Sequence, residues 1–164
     1  MTRVVPIAIN EGVFVAHFSE RGLARLEFPD ARPPATTTDH TKLPALISKW
    51  RQLTRRAIER AASGKPHGPL PPLDLHGSEF QQLVWAALRQ IPAGQVRTYG
   101  AIASAIGRPR ANRAVGNACG ANPIPLLIPC HRVVAGHGLG GFSGPPEWKT
   151  KLLAREGVTL PLGR

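Results

Sequence analysis

Three short runs open the chain in which apolar residues alternate or follow one another: residues 4–9, 12–18 and 23–28. Asn10-Glu11-Gly12 and Glu20-Arg21-Gly22 separate them at hairpin distance, so the pattern predicts three β-strands. A polar, Pro- and Thr-rich stretch follows at 29–41 and reads as an exposed loop. Between 43 and 62 the period changes. Leu46, Trp50, Leu53, Ala57 and Ala61 recur near one face, which predicts a helix stopped by Ser63-Gly64-Lys65-Pro66. Residues 67–72 are Pro-rich and read as a linker or extended crossing segment. Beyond it, Ser78 and Gln81 have the spacing of a capping box, and Phe80, Leu83, Val84, Ala87, Leu88 and Ile91 keep helical spacing up to the break at Pro92-Ala93-Gly94. Short helices over 99–106 and 110–119, parted by Gly107-Arg108-Pro109, read as a helix-turn-helix. Pro145 suits the first turn of a last helix that runs to about Glu156, with Gly157 ending it. The expected organisation is α/β (α+β): a small structural unit over 1–72 and a mainly helical unit over 73–164.

Candidate chemistry concentrates in the second unit. An apolar run from Ile124 to Ile128 ends in Pro129-Cys130-His131-Arg132-Val133. A thiol beside an imidazole is either a small buried residue next to an unrelated histidine or a nucleophile held by a base. The thiolate is the reactive form, and an ordinary thiol with a pKa near ~8.5 is only a few per cent ionised at neutral pH. The predicted helix before it is rich in small residues from Ala111 to Ala118, which suits close approach to another surface or tight helix packing, and Arg113 projects from it. After Cys130, residues 135–144 hold five glycines, a loop that either lets backbone approach a ligand or simply connects.

Charge sharpens this picture. The formal net charge is +11, and no acidic residue occurs from Phe80 to Pro146, a stretch that carries Arg89, Arg97, Arg108, Arg110, Arg113 and Arg132. Such a balance favours a polyanionic partner. Two cysteines, Cys119 and Cys130, cannot build a disulfide framework, and the six histidines form no zinc pattern, so neither a metal nor a cofactor is expected. There is no apolar run of membrane-spanning length and the first residues do not have the pattern of a signal peptide, so a cytoplasmic protein with no membrane partner is expected.

The run GNACGANPIPLLIPCHRVV resembles the active-site segment of the O6-alkylguanine-DNA alkyltransferases, also called methylated-DNA-protein-cysteine methyltransferases. The likeness extends upstream through LDLHGSEFQQLVWAALRQIPAGQVRTYGAIASAIG and downstream through GFSG and LLAREG. It is dense over 73–157 and loose over 4–28. The resemblance implies a ribonuclease-H-like N-terminal fold, a helix-turn-helix that binds double-stranded DNA, and single-turnover transfer of an alkyl group from O6-alkylguanine to a cysteine, with O4-alkylthymine a further candidate substrate. It implies a monomer that can cluster along DNA.

The same resemblance implies roles for individual residues. Cys130 would be the acceptor, His131 would take its proton through a water, and Glu156 would orient the histidine. Asn122 would be the hinge residue bracing the helix-turn-helix against an active-site strand. Tyr99 would donate towards N3 of the base, Ser143 would donate near O6, and the carbonyls of Val133 and Cys130 would face the exocyclic amine. Arg113 would fill the stack vacated by the target nucleotide, on a DNA-facing helix with Asn112, Ala114 and Gly116. Two departures stand out: Phe142 occupies a position where many relatives have Tyr, and the cysteines of the zinc-binding members are missing. The rival readings are a binding module that marks alkylated DNA without accepting the group, a helix-turn-helix regulator, and a Cys-His hydrolase. Non-accepting relatives carry Trp where this chain has Cys130, which argues against the first.

Overall fold

A computed structural model describes residues 1–30 and 39–160. Strands β1 (Arg3–Ile9), β2 (Gly12–Phe18) and β3 (Leu23–Glu27) form an antiparallel sheet in sequence order. Arg3 pairs with Phe18 and Ile9 with Gly12, so Val5, Ile7, Phe14, Ala16 and Phe18 are buried together. Pro6 is tolerated because β1 is an edge strand, where a missing N–H removes no ladder bond from a central position.

Helix α1 (Ala45–Ala62) packs on this sheet with Ile47, Trp50, Thr54, Ala57, Ile58 and Ala61 buried. The sequence pattern placed Leu46 and Leu53 on that face. Leu46 is instead exposed and Leu53 half-buried. Thr54 hides a polar tip in the buried stripe by donating its hydroxyl to the Trp50 carbonyl at 2.8 Å, which a hydrophobicity count cannot anticipate. Of the loop expected at 29–41, residues 31–38 lie outside the described residues, and His40–Lys42 forms a 3-10 turn rather than open loop.

In the second half, α2 (Glu79–Leu88) starts at the Ser78–Gln81 capping box that the sequence announces. Trp85 buries its ring and donates Nε1–H to the Ala118 carbonyl at 2.9 Å, tying α2 to α4 (Asn112–Gly120). The expected core position Leu83 is 43% exposed, since Val84, Trp85 and Leu88 make the inner stripe. Helix α3 (Tyr99–Ala105) is capped by Thr98 and packs on α4, giving the helix-turn-helix. Its second helix begins later than the expected residue 110. Gly107 adopts a φ of 73°, and Ala111 N–H closes a turn onto the Arg108 carbonyl, leaving Arg110 and Ala111 outside the helix. Strands β4 (Arg97–Thr98) and β5 (Val133–Val134) pair in parallel, and α5 (Pro146–Arg155) closes the fold.

One continuous buried cluster joins the two halves. Phe14 and Phe28 meet Trp148 of α5 with ring centroids 5.6 and 5.0 Å apart, and Phe28 meets Phe142 at 5.6 Å. Backbone bonds from Leu23 N–H to Pro72 and from Leu26 N–H to Pro123 bring β3 beside both the linker and the segment that leads to Cys130.

Candidate active site

The apolar run 124–128 is a closed loop. Asn122 is buried and works at both ends of it: Nδ2 donates to the Ile128 carbonyl at 2.8 Å, and Oδ1 accepts from Ile124 N–H at 3.0 Å. Ile128 N–H bonds to Ile124 O at 2.9 Å, and Leu126 is held at φ 76°. That conformation is disfavoured for a residue with a branched side chain, and burial of Ile124, Leu126, Leu127 and Ile128 holds it in place. The loop delivers a 3-10 turn, Cys130–Arg132, on which three reactive or charged side chains are consecutive and all buried.

Cys130 is 2% exposed, and its Sγ lies 3.2 Å from Ser143 Oγ. His131 is fully buried, with Nε2 2.9 Å from Glu156 Oε1. The carboxylate cannot donate, so the ring carries its proton on Nε2 and leaves Nδ1 as an acceptor. Nδ1 is buried and has no partner among the described residues. Burial lowers the His131 pKa, against the opposing pull of Glu156, so the ring is neutral at neutral pH. Arg132 grips the same carboxylate, with Nε 3.1 Å from each oxygen and Nη2 2.7 Å from Oε1. Glu156 is the residue that caps the end of α5.

Burial alone would raise the Glu156 pKa, but hydrogen bonds from His131 and Arg132 outweigh it and bring it down to about 2 from an ordinary 4.5. Because the folded value is the lower one, the stabilisation is complete above 4.5 and is lost as pH falls from there to about 2. That difference is worth on the order of 3 kcal/mol. Glu156→Gln should therefore lose about 3 kcal/mol less stability than the natural protein on acidification from neutral pH to pH ~2. Denaturant unfolding at both pH values measures it, and equal losses would contradict the assignment.

Tyr99 is half-buried, and its hydroxyl accepts from Gly141 N–H at 3.1 Å. Burial is the main cause that raises its pKa, so it stays a donor. Gly140, at φ 71°, lies under the Tyr99 ring, where a Cβ would come within 2.7 Å of the hydroxyl. The glycine-rich segment thus meets Tyr99 at close range. Val133 is buried, and its carbonyl accepts from Lys149 Nζ at 2.7 Å. On α4, Asn112, Arg113 and Ala114 are exposed and Gly116 packs beside the Tyr99 ring. The structure therefore brings Cys130, His131, Glu156, Asn122, Tyr99, Val133 and Ser143 around one turn, and sets Asn112, Arg113 and Ala114 on the outer face of α4. Phe142 spends its ring on the aromatic cluster with Phe28.

Lys149 is the residue that the sequence pattern did not single out. It is 2% exposed, its ammonium bonds the carbonyls of Val133 and Gly141 at 2.7 Å each, and no ion pair joins it to an acid among the described residues. Burial pulls its pKa down to about 8, while the nearby Cys130 and Cys119 thiols act the other way. A signal did exist, since Lys149 stands four residues before Leu153 in the α5 stripe of Trp148, Leu152 and Leu153. Cys119 faces inward from α4, and burial, with Cys130 adding, pushes its pKa up to about 12. Among the described residues no three His, Cys, Asp or Glu side chains group to hold a metal ion, and no helix is long and apolar enough to cross a membrane.

A cleft of about 830 Å³ opens beside this turn, with Asn122, Pro123, Pro125, Ser143 and Phe28 in its walls.

Comparison with known proteins decides the family. Residues 79–158 match the model of the 6-O-methylguanine DNA methyltransferase DNA-binding domain. The crystal structure of the Mycobacterium tuberculosis O6-methylguanine methyltransferase is 33% identical, covers 95% of this chain and 93% of its own, and superposes with a TM-score of 0.73. The chain belongs to the O6-methylguanine-DNA methyltransferase family. A second structure, M. tuberculosis OGT in complex with DNA, superposes at 0.77 with 34% identity over 94% of this chain and 92% of that one. The methylated-DNA–protein-cysteine methyltransferase of Mycolicibacterium paratuberculosis is 55% identical over 85 residues, 51% of this chain and 52% of the relative. Escherichia coli Ada, a bifunctional transcriptional activator and DNA repair enzyme, is 52% identical over 86 residues, which are 52% of this chain and 24% of Ada. The chain thus spans about half the length of most of the curated relatives it matches, while the segment matched by the family model, 79–158, holds the turn at Cys130.

Proposed function

We propose that this protein repairs DNA by moving a methyl or other alkyl group from O6 of guanine in duplex DNA onto Cys130, once per molecule. One observation carries the reading: Cys130 is held beside Ser143, and the next residue is a neutral histidine with a free, buried Nδ1 and its other nitrogen fixed on Glu156. The thiol proton passes to Nδ1 through a water. Sγ then attacks the alkyl carbon, the carbon–O6 bond breaks, and its electron pair stays on guanine. Tyr99 supplies a proton at N3, and Ser143 donates near O6. The product is a thioether, which has no easy leaving group, so the protein is consumed.

An alkyl carbon inside the duplex is out of reach of a buried sulfur, so the nucleotide has to leave the stack at a cost of a few kcal/mol. Arg113, exposed on α4, offsets part of that cost by filling the gap, while Asn112, Ala114 and Gly116 let the helix lie close to the groove. Arg113→Ala should slow repair of a duplex oligonucleotide roughly 10- to 100-fold, yet leave transfer from free O6-benzylguanine within about twofold. Parallel single-turnover assays on the two substrates check this, and equal losses would remove Arg113 from the extrusion step.

The deciding experiment is intact-mass and peptide spectrometry after mixing with an O6-methylguanine oligonucleotide. One methyl group on Cys130, with a yield that stops at one per protein, supports the proposal. A protein that retains damaged DNA unmodified would instead be a binding module, and one that turns over repeatedly would be an enzyme of another kind.

A further inference from the structure

We propose that Arg132 is a positioning residue, the resident counter-ion of Glu156, and that it keeps His131 unprotonated and therefore able to act as a base. The kinetic consequence rests on the proposed transfer to Cys130, but the charge assignment rests on the cage around Glu156 alone. That carboxylate side chain is 1% exposed. It is met by Arg132 through Nε at 3.1 Å to both oxygens and Nη2 at 2.7 Å, by His131 Nε2 at 2.9 Å, and by Gly94 N–H at 3.4 Å. Arg132 is locked in place from behind, with Nη1 donating to the Ile91 carbonyl at 2.6 Å.

A buried carboxylate needs a compensating charge nearby, and two groups compete for that part. A guanidinium stays protonated throughout the accessible pH range, and its fork fits a carboxylate. Arg132 therefore takes the role outright, and His131 is left to offer a neutral N–H. Without Arg132, the imidazole 2.9 Å away would be the only cationic group bonded to Glu156, and attraction to the bare carboxylate would hold a proton on the ring. A protonated ring donates from both nitrogens, so Nδ1 would no longer accept. The base would be spent before the thiol could use it. The charged groups that bear on His131 are Glu156 and Lys149 from the last helix and its cap, and Arg132 from its own turn. Arg132 and Lys149 both oppose the imidazolium, and only Arg132 bonds the acid.

The adjacency has a simple local cause. His131 and Arg132 are consecutive on a 3-10 turn, which sends both side chains to the one acid at the end of α5. The position after the histidine is thus part of the proton-transfer apparatus without touching substrate.

The test is an NMR titration of the full-length protein labelled with ¹⁵N in its histidine rings, read alongside the pH dependence of single-turnover methyl transfer. The natural protein should show His131 as the neutral Nε2–H tautomer at neutral pH. In Arg132→Met the His131 midpoint should rise by roughly one to three pH units. Transfer should fall about tenfold for each unit by which that midpoint exceeds the assay pH, and recover as pH is raised. Arg132→Lys, which restores a charge, should return the midpoint and the rate most of the way. Arg132→Gln keeps a donor to the carboxylate without the charge and carries the same expectation as Arg132→Met, so it serves if the latter does not fold. A folded neutral variant whose His131 midpoint stays put or drops would overturn the proposal, as would a failure of Arg132→Lys to differ from Arg132→Gln. If the natural protein accepts no methyl group at all, the reading of Cys130 falls, while the titration still decides the role of Arg132.

Discussion

Cys130→Ser is expected to abolish methyl transfer to below detection while leaving affinity for duplex DNA within about twofold. The first half follows from the chemistry of the group: a hydroxyl ionises far less readily than a thiol, and oxygen is a weaker nucleophile towards a saturated carbon than thiolate sulfur. The second half follows from burial. Cys130 is 2% exposed, so it contributes almost nothing to a surface that meets phosphates, and the basic stretch without acids remains intact. The second thiol does not rescue the variant. Cys119, pushed up to about 12, would be ionised in about one molecule in 10⁵ at neutral pH. Mass spectrometry and fluorescence anisotropy on the same preparation measure both halves. A methyl group appearing on Cys119, or transfer that survives the substitution, would move the acceptor elsewhere.

The legible parts of this site are those written in local sequence. The Ser78–Gln81 cap, the break after Ile106, the Pro-opened last helix and the Cys130-His131 pair each depend on residues a few positions apart, and the structure has each of them. Glu156 is legible only through the family resemblance, because nothing local distinguishes an acid at a helix end from a solvated one. What the pattern missed is long-range. The Ile91 carbonyl, 41 residues before Arg132, and the Glu156 carboxylate, 24 after it, converge on the guanidinium, and the Gly94 amide reaches the same carboxylate. A buried lysine is rare enough that a charged letter reads as surface, and the place of Lys149 on the apolar stripe of its helix is too weak a signal to reverse that. The face of α1 departs from the sequence pattern for the converse reason. Thr54 looks polar in the sequence and is silent about the carbonyl that satisfies it, while Leu46 looks apolar and points to solvent. The closed loop at Leu126 could not have been foreseen, since its positive φ is imposed by the Asn122 bonds and by burial rather than by the residue itself.

His131→Gln is expected to slow methyl transfer by roughly 10² to 10⁴ at neutral pH, the usual worth of a positioned general base. Glutamine can still reach the Glu156 carboxylate with an amide N–H, so the local fold is kept, but an amide cannot take up a proton. The sign of the pH dependence separates this from a mere loss of packing. In the natural protein the ring is already neutral at neutral pH, because burial holds its pKa below the ordinary value, so raising the pH adds no further base. In the variant no side chain takes the thiol proton, so it has to be given up to solvent base, whose supply grows as pH rises. The deficit should therefore shrink as pH climbs from 7 to about 9 and widen again on return. Quenched single-turnover reactions with an O6-methylguanine oligonucleotide across that range give the ratio directly. A ratio that stays flat with pH would mean that His131 holds the turn in shape and moves no proton, and the free Nδ1 would then need another purpose.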